Sequence, residues 1–304
     1  MLNFLNMFAP KSQCPIKIRN LNDEFVSYGG LLEQASGTNI SLGSIKRAIQ
    51  RSNGRLFVID FKGDVMATAA KSLSEEITAI IASADPKHDE VLVRLESPGG
   101  AVHAYGYAAS QLQRLKDRGI PLTIAVDKVA ASGGYMMACI GDKIVSAPYA
   151  VIGSIGVVSE FMNFNNLLNE IGIDYKQYTA GRYKRTVSAM GPITEEAEEK
   201  FSDDLQRTHE MFKTHVARFR KDMDIEEIAT GEHWYGIDAH EKGLVDEVGT
   251  SEDYILDAIT RKEVLHVQYA PPRQFGDRIR IGLVKAVTEV VLDLFNVHAN
   301  MRLG

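Results

Sequence analysis

The sequence predicts an α/β fold on a largely parallel sheet, and three observations point to it. Apolar runs of strand length, Leu56-Phe-Val-Ile-Asp60, Val91-Leu-Val-Arg-Leu95 and Leu122-Thr-Ile-Ala-Val126, alternate with segments whose apolar residues recur at helical spacing. Two of the junctions are small-residue corners, Ser97-Pro-Gly-Gly100 and Ala131-Ser-Gly-Gly134. Alternation of this kind requires crossover connections, and hence parallel pairing. The composition agrees: 304 residues, 45% hydrophobic and 24% charged, suffice for one large core with appendages.

Taken in order, residues 1–54 mix polar, Gly and Ser residues with weak periodicity and close on the turn signal Asn53-Gly54, so they read as an extension that packs loosely or serves a partner. The main domain runs over 55–270. Its first strand is followed by Ser72-Leu-Ser-Glu75, a capping box that predicts a helix over 73–84. After the second strand the spacing predicts a helix over 102–116, and after the third a small-residue, Met-rich helix over 132–140. Lys143-Ile-Val-Ser146, Val151-Ile152, 155–158 and 173–178 read as short strands, with a short helix over 163–171 and a polar loop at 179–185. Thr194 caps the longest helix, which has acidic residues in its first turn and basic ones, Arg218 to Lys221, at its end. A helix over 237–242 ended by Gly243, a strand over 244–246, a helix over 251–261 and a strand over 264–269 complete the domain. In the tail, 271–304, Ile281, Val284, Val287, Val291 and Leu294 make an amphipathic helix suited to intramolecular packing first, and to a neighbouring subunit or a lipid surface second.

A net charge of −6, with no basic cluster interleaved with aromatics, excludes nucleic acid as a partner. Cys14 and Cys139 are far apart and read as free thiols, and no metal or cofactor is expected. The apolar start, Met1 to Phe8, is too short to span a bilayer, and no stretch of about 18 uncharged apolar residues occurs elsewhere.

Ser132 stands where a strand gives way to a helix. A serine there most often caps the helix, but a first helical turn also offers N–H groups that can hold a negatively charged oxygen. In a parallel sheet the two glycine corners come together at the carboxyl ends of the strands, where ligands usually bind. One corner would carry a nucleophile, and the other the oxyanion donors, with Gly99 and Gly100 joined by N–H groups near Ser132. Pro98-Gly99-Gly100 on its own says no more than a tight turn. A serine nucleophile needs a base, yet no histidine lies between His103 and His209. His103 reads as helix surface, and His233 as packing beside Trp234. Lys184 is the alternative, although a basic loop is more often solvated surface. A lysine base must be neutral, which at pH 7 means bringing a reference pKa of about 10.4 down by about three, on the order of 4 kcal/mol, through burial or positive neighbours such as Arg182 and Arg185.

At these residues the chain resembles a known family. Arg94-Leu-Glu-Ser-Pro-Gly-Gly-Ala-Val102, Val126-Asp-Lys-Val-Ala-Ala-Ser-Gly-Gly-Tyr-Met-Met-Ala138, Ile152-Gly-Ser-Ile-Gly-Val157, Thr179-Ala-Gly-Arg-Tyr-Lys-Arg185 and Gly231-Glu-His-Trp-Tyr-Gly236 with Lys242-Gly-Leu-Val-Asp-Glu247 are similar, in this order, to the SohB branch of the signal peptide peptidase A family. Each motif alone is common; the ordered set is specific, and it covers Arg55 to about Tyr269. The resemblance implies a ClpP/crotonase-like fold with repeated strand-strand-helix units and a serine endopeptidase with a Ser–Lys dyad. Ser132 would be the nucleophile, Lys184 the base, and Gly99, Gly100 and Gly133 the oxyanion hole.

It further implies polypeptide substrates drawn from signal peptides or membrane-derived chains, and homo-oligomeric rings whose sites take serine and lysine from adjacent subunits. An inner-membrane association in a bacterium is implied too, with the peptidase domain in the periplasm, although no membrane span is expected within this sequence. The same scaffold also suits a phage-type capsid maturation protease, an acyl-CoA enzyme that would need no Ser–Lys pair, or an inactive ring-forming scaffold.

Overall fold

The computed structural model describes residues 15–36 and 54–271. Five runs follow the sequence reading closely: strands β2 (Arg55–Lys62), β3 (Glu90–Glu96), β4 (Leu122–Val126) and β6 (Lys143–Ser146), and the helix Val102–Lys116. With β1 (Ile16–Asn20), β9 (Glu247–Val248) and β10 (Glu263–Tyr269), the four strands make a seven-stranded sheet in the order β1-β10-β2-β3-β4-β6-β9. Every pairing from β10 to β9 is parallel. All five residues of β4 are buried, as expected for a central parallel strand covered on both faces.

A second, three-stranded sheet holds β5 (Val129–Ala131), β7 (Val151–Gly153) and β8 (His233–Tyr235), with β5 parallel and β8 antiparallel to β7. One bridge, Ser97 to Ala130, ties it to the end of β3. The first glycine corner is thereby held against the strand that leads into Ser132.

The helices are α1 (Leu21–Ser36), α2 (Ala70–Ile81), α3 (Val102–Lys116), α4 (Gly133–Ala138), α5 (Asn165–Glu170), α6 (Glu195–Phe219), α7 (Ile225–Ile228), α8 (Gly236–Glu241) and α9 (Ser251–Ile259). α2 buries Leu73, Ile77 and Ile80, and α3 buries Tyr105, Leu112 and Leu115. In another part of the core, Ile255, Ala258 and Ile259 of α9 pack with Leu56, Val58 and Leu92, and Leu21 and Phe25 of α1 close on the same cluster. Residues 18–36, read as loose extension, therefore supply an edge strand and a docked helix. Asn22, which is buried, accepts the Val264 N–H at 2.7 Å and donates to the Ile259 carbonyl at 3.1 Å.

Other expectations need correction. The helix expected at 73 starts at Ala70, with Ala69 as an N-cap that makes no side-chain bond. The chain is already turning at Asp64, whose carboxylate accepts the Met66 and Thr68 N–H groups, so Ser72 falls inside the helix where it cannot cap. The strand expected over 244–246 is not formed there; the chain pairs just after it, at β9. The expected strands 155–158 and 173–178 are not formed. A strand needs a neighbour to pair with, and Val158, Ile173 and Tyr178 stand exposed. Cys139 is buried and free, and burial pushes its thiol pKa well up; Cys14 and the tail helix lie outside the described residues. Among the described residues, no helix is long and apolar enough to cross a membrane.

Across β2, β3 and β10, Asp60 accepts from Arg94 Nε at 2.6 Å and meets His266 Nε2 at 2.9 Å. Burial alone would raise its pKa, but the His266 and Arg94 bonds outweigh it and hold the carboxyl at about 2. A depressed carboxylate contributes stability that is fully present above the ordinary value of 3.8 and is lost as pH falls through 2. Asp60→Asn should lower Tm at pH 7 by about 2 °C, discounted for a half-exposed pair, and thermal melts should show that gap closing between pH 4 and pH 2.

Candidate active site

Ser132 sits between β5 and α4 with φ 52° and ψ −119°, a conformation that costs a non-glycine residue on the order of 1–3 kcal/mol. Its neighbours hold it there. The Ser132 N–H donates to the Gly153 carbonyl at 2.8 Å, and the Ser132 carbonyl accepts from the Met136 N–H at 3.0 Å. The side chain accepts no N–H of the new helix. Ser132 is thus not a cap in this fold, and its hydroxyl has no hydrogen-bond partner among the described residues on a sharp strand-to-helix turn, the setting that displays a nucleophile.

The first glycine corner packs against this turn. A Cβ on Gly99 would lie 2.7 Å from Ser132 Cβ and 2.8 Å from the Gly133 nitrogen, and Gly99 has φ 92°. No side chain fits there, so Gly99→Ala should cost about 2–4 kcal/mol in urea unfolding and displace Ser132 as well.

The two glycines have different roles. The Gly99 N–H donates to the buried Ser97 Oγ at 3.1 Å, which removes it from the expected set of oxyanion donors. Gly100 is exposed, and neither its N–H nor that of Gly133 has a hydrogen-bond partner among the described residues. Sequence spacing could not separate Gly99 from Gly100, because the distinction lies in which way each peptide plane faces.

Lys184 lies in the expected loop, exposed, with its N–H on the Gly181 carbonyl at 3.1 Å. No hydrogen bond or ion pair joins Lys184 to Ser132 within the chain, and its side chain has no such partner among the described residues. Arg182 is paired with Glu196 at 2.7 Å, which leaves Arg185 as the flanking cation without an ion pair among the described residues.

Of the histidines, His103 is exposed on α3, and His209 reaches the Ile155 carbonyl at 3.3 Å. His233 does not pack as expected: it is exposed on β8, paired in register with Gly153. Ser154 escaped the sequence reading. It follows Gly153 with φ 51°, and only its backbone angle marks it.

A cleft of about 320 Å³ beside Asp60 and Asp127 contains none of these residues. Its Glu96 is paired with Lys62 at 3.4 Å and Lys128 at 3.1 Å, and its Asp127 accepts from the Ser251 N–H and hydroxyl.

A strained serine on a strand-to-helix turn, with the Gly99 corner packed against it, is the apparatus of a serine hydrolase, and similarity to known proteins places the chain among peptidases. Residues 114–265 match the profile of peptidase family S49, and residues 7–112 that of the S49 N-terminal region. The chain is 49% identical over 247 residues to a protein of Buchnera aphidicola named "Probable protease SohB", a match covering 81% of this chain and 73% of the relative. It is 56% identical over 214 residues to the protein of the same name from Haemophilus influenzae, covering 70% and 60%. To a chloroplastic protein of Arabidopsis thaliana named "Serine protease SPPA" it is 29% identical over 231 residues, covering 74% and 33%. The chain belongs to peptidase family S49, and within it is SohB-like, with the α/β, ClpP/crotonase-like fold of that family.

Proposed function

We propose that the chain is an endopeptidase in which Ser132 is the nucleophile and Lys184 of a neighbouring subunit the general base, acting on signal-peptide remnants or other membrane-derived polypeptides. Lys184 takes the Ser132 hydroxyl proton as Oγ attacks the peptide carbonyl. The Gly100 and Gly133 N–H groups hold the oxygen that becomes negative. The carbon–nitrogen bond then breaks, the leaving amine takes the proton, and water, deprotonated in turn by Lys184, releases the acyl group from Ser132.

The observation that carries this reading is the strained Ser132, packed against the Gly99 corner, whose hydroxyl has no hydrogen-bond partner among the described residues. Sharing between subunits is supported by the exposed Lys184 loop and by its surroundings. Val158, Met162, Tyr178 and Tyr183 leave large apolar surface in the same segment, which suits an interface within a ring. Inner-membrane association with a periplasmic peptidase domain belongs to the same reading, through the likeness to the SohB branch. The test is labelling of the full chain with a fluorophosphonate, followed by peptide mapping. The adduct is expected on Ser132 and absent from Ser132→Ala, whereas an unlabelled wild type would favour an inactive scaffold.

A further inference from the structure

Behind the glycine corner lies a buried chain of hydroxyls that the mechanism above does not use. Tyr105 and Ser97 are both fully buried. The Tyr105 hydroxyl donates to the Asp64 carbonyl at 2.8 Å, and it lies 2.6 Å from Ser97 Oγ. The directions follow from the chemistry: a carbonyl can only accept, so the tyrosine hydrogen points to Asp64, and the serine hydrogen must point to the tyrosine oxygen. Ser97 Oγ then has lone pairs left for the Gly99 N–H at 3.1 Å. Burial raises the pKa of Tyr105, which keeps its hydrogen in place.

The same two residues touch both sides of the corner. A Cβ on Gly133 would lie 2.4 Å from Tyr105 Cγ, so the ring lies directly against the residue that follows Ser132. Ser97 is pinned to β5 as well, its N–H on the Val129 carbonyl at 2.8 Å and its carbonyl accepting from Ala131 at 3.0 Å. Asp64 and Val65 close the arrangement from outside, since the Ala101 N–H donates to the Val65 carbonyl at 2.8 Å.

We infer that Tyr105 and Ser97 are positioning residues for catalysis: by drawing the Gly99 N–H inward, the chain Tyr105–Ser97–Gly99 turns the following peptide so that the Gly100 N–H faces the oxyanion beside that of Gly133. Neither side chain touches the substrate; they act through the orientation of one peptide plane. This rests on the reading of Ser132 as the nucleophile.

The relay is tested with the full chain and a fluorophosphonate probe, in whose reaction a Ser132 oxygen–phosphorus bond forms, fluoride leaves and the hydroxyl proton passes to the base. Tyr105→Phe keeps the ring on Gly133 and removes the hydroxyl; Ser97→Ala removes the acceptor and keeps the Tyr105–Asp64 bond. Removing an oxyanion donor outright costs about 10²–10³-fold, so a misdirected one should lower the maximal labelling rate by about 10–100-fold. The probe concentration for half-maximal rate should stay within about twofold, since binding before reaction is untouched. The double variant should be no slower than the slower single variant by more than about twofold, because both substitutions break one relay.

Single variants that label at the wild-type rate, losses that multiply in the double variant, or losses that appear only where oligomer assembly fails would each overturn the inference. Should Tyr105→Phe not fold, Ser97→Ala carries the same test alone. A wild type that is not labelled at Ser132 would instead overturn the underlying reading, and the inference with it.

Discussion

Ser132→Ala is expected to abolish peptide turnover, with a loss of roughly 10⁴- to 10⁶-fold, the range seen when a serine nucleophile is removed from an intact hydrolase site. The fold should not suffer. The Ser132 side chain accepts no N–H of the following helix, and alanine keeps the same Cβ in the same strained backbone. Thermal stability should therefore stay within about 0.5 kcal/mol of wild type. Mass spectrometry of products from a mixed peptide library, alongside a melt followed by circular dichroism, checks both halves. Turnover persisting in the alanine variant would remove Ser132 from the mechanism.

The second large effect is at Lys184. Lys184→Met keeps much of the aliphatic stem and removes the base, so activity should fall by at least about 10³-fold. Lys184→Arg should be nearly as damaging, because a guanidinium stays charged across the range in which the enzyme would work. Stability should change little in either variant, since the side chain is exposed and has no ion pair among the described residues. His233 is exposed and in register with Gly153, whose carbonyl accepts the Ser132 N–H, so it is the alternative base to test. Turnover by His233→Gln at the wild-type rate, together with loss in both lysine variants, is the expected pattern in peptide-hydrolysis assays.

Much of this was legible in the sequence, for reasons that differ by residue. β4 was readable because a central parallel strand is apolar on both faces, and α3 because one face of it is apolar at helical spacing. Ser132 was marked by its small neighbours, but its backbone angles were not, and those angles separate a displayed hydroxyl from a helix cap. Gly99 and Gly100 look alike as letters, and only the Ser97 bond tells which N–H is left free. The runs at 155–158 and 173–178 misled because pairing, which the local sequence does not record, decides a strand, and Val158, Ile173 and Tyr178 stand exposed in coil. Tyr105 carried no signal in the sequence beyond its place in the helix expected over 102–116, and its hydroxyl gains meaning only from Ser97 and from the Asp64 carbonyl, 41 residues away in sequence, which the fold brings beside it.

The central claim is a dyad assembled from two subunits, and complementation tests it most directly. Ser132→Ala and Lys184→Ala protomers, each inactive alone, are co-assembled in equal amounts, and mixed rings are verified by native mass spectrometry. A shared site is rebuilt wherever a protomer keeping Ser132 adjoins, in the right direction, one keeping Lys184, which happens at about a quarter of the interfaces of a random ring. The account predicts recovery of about a quarter of wild-type activity; verified mixed rings that remain inactive would contradict it.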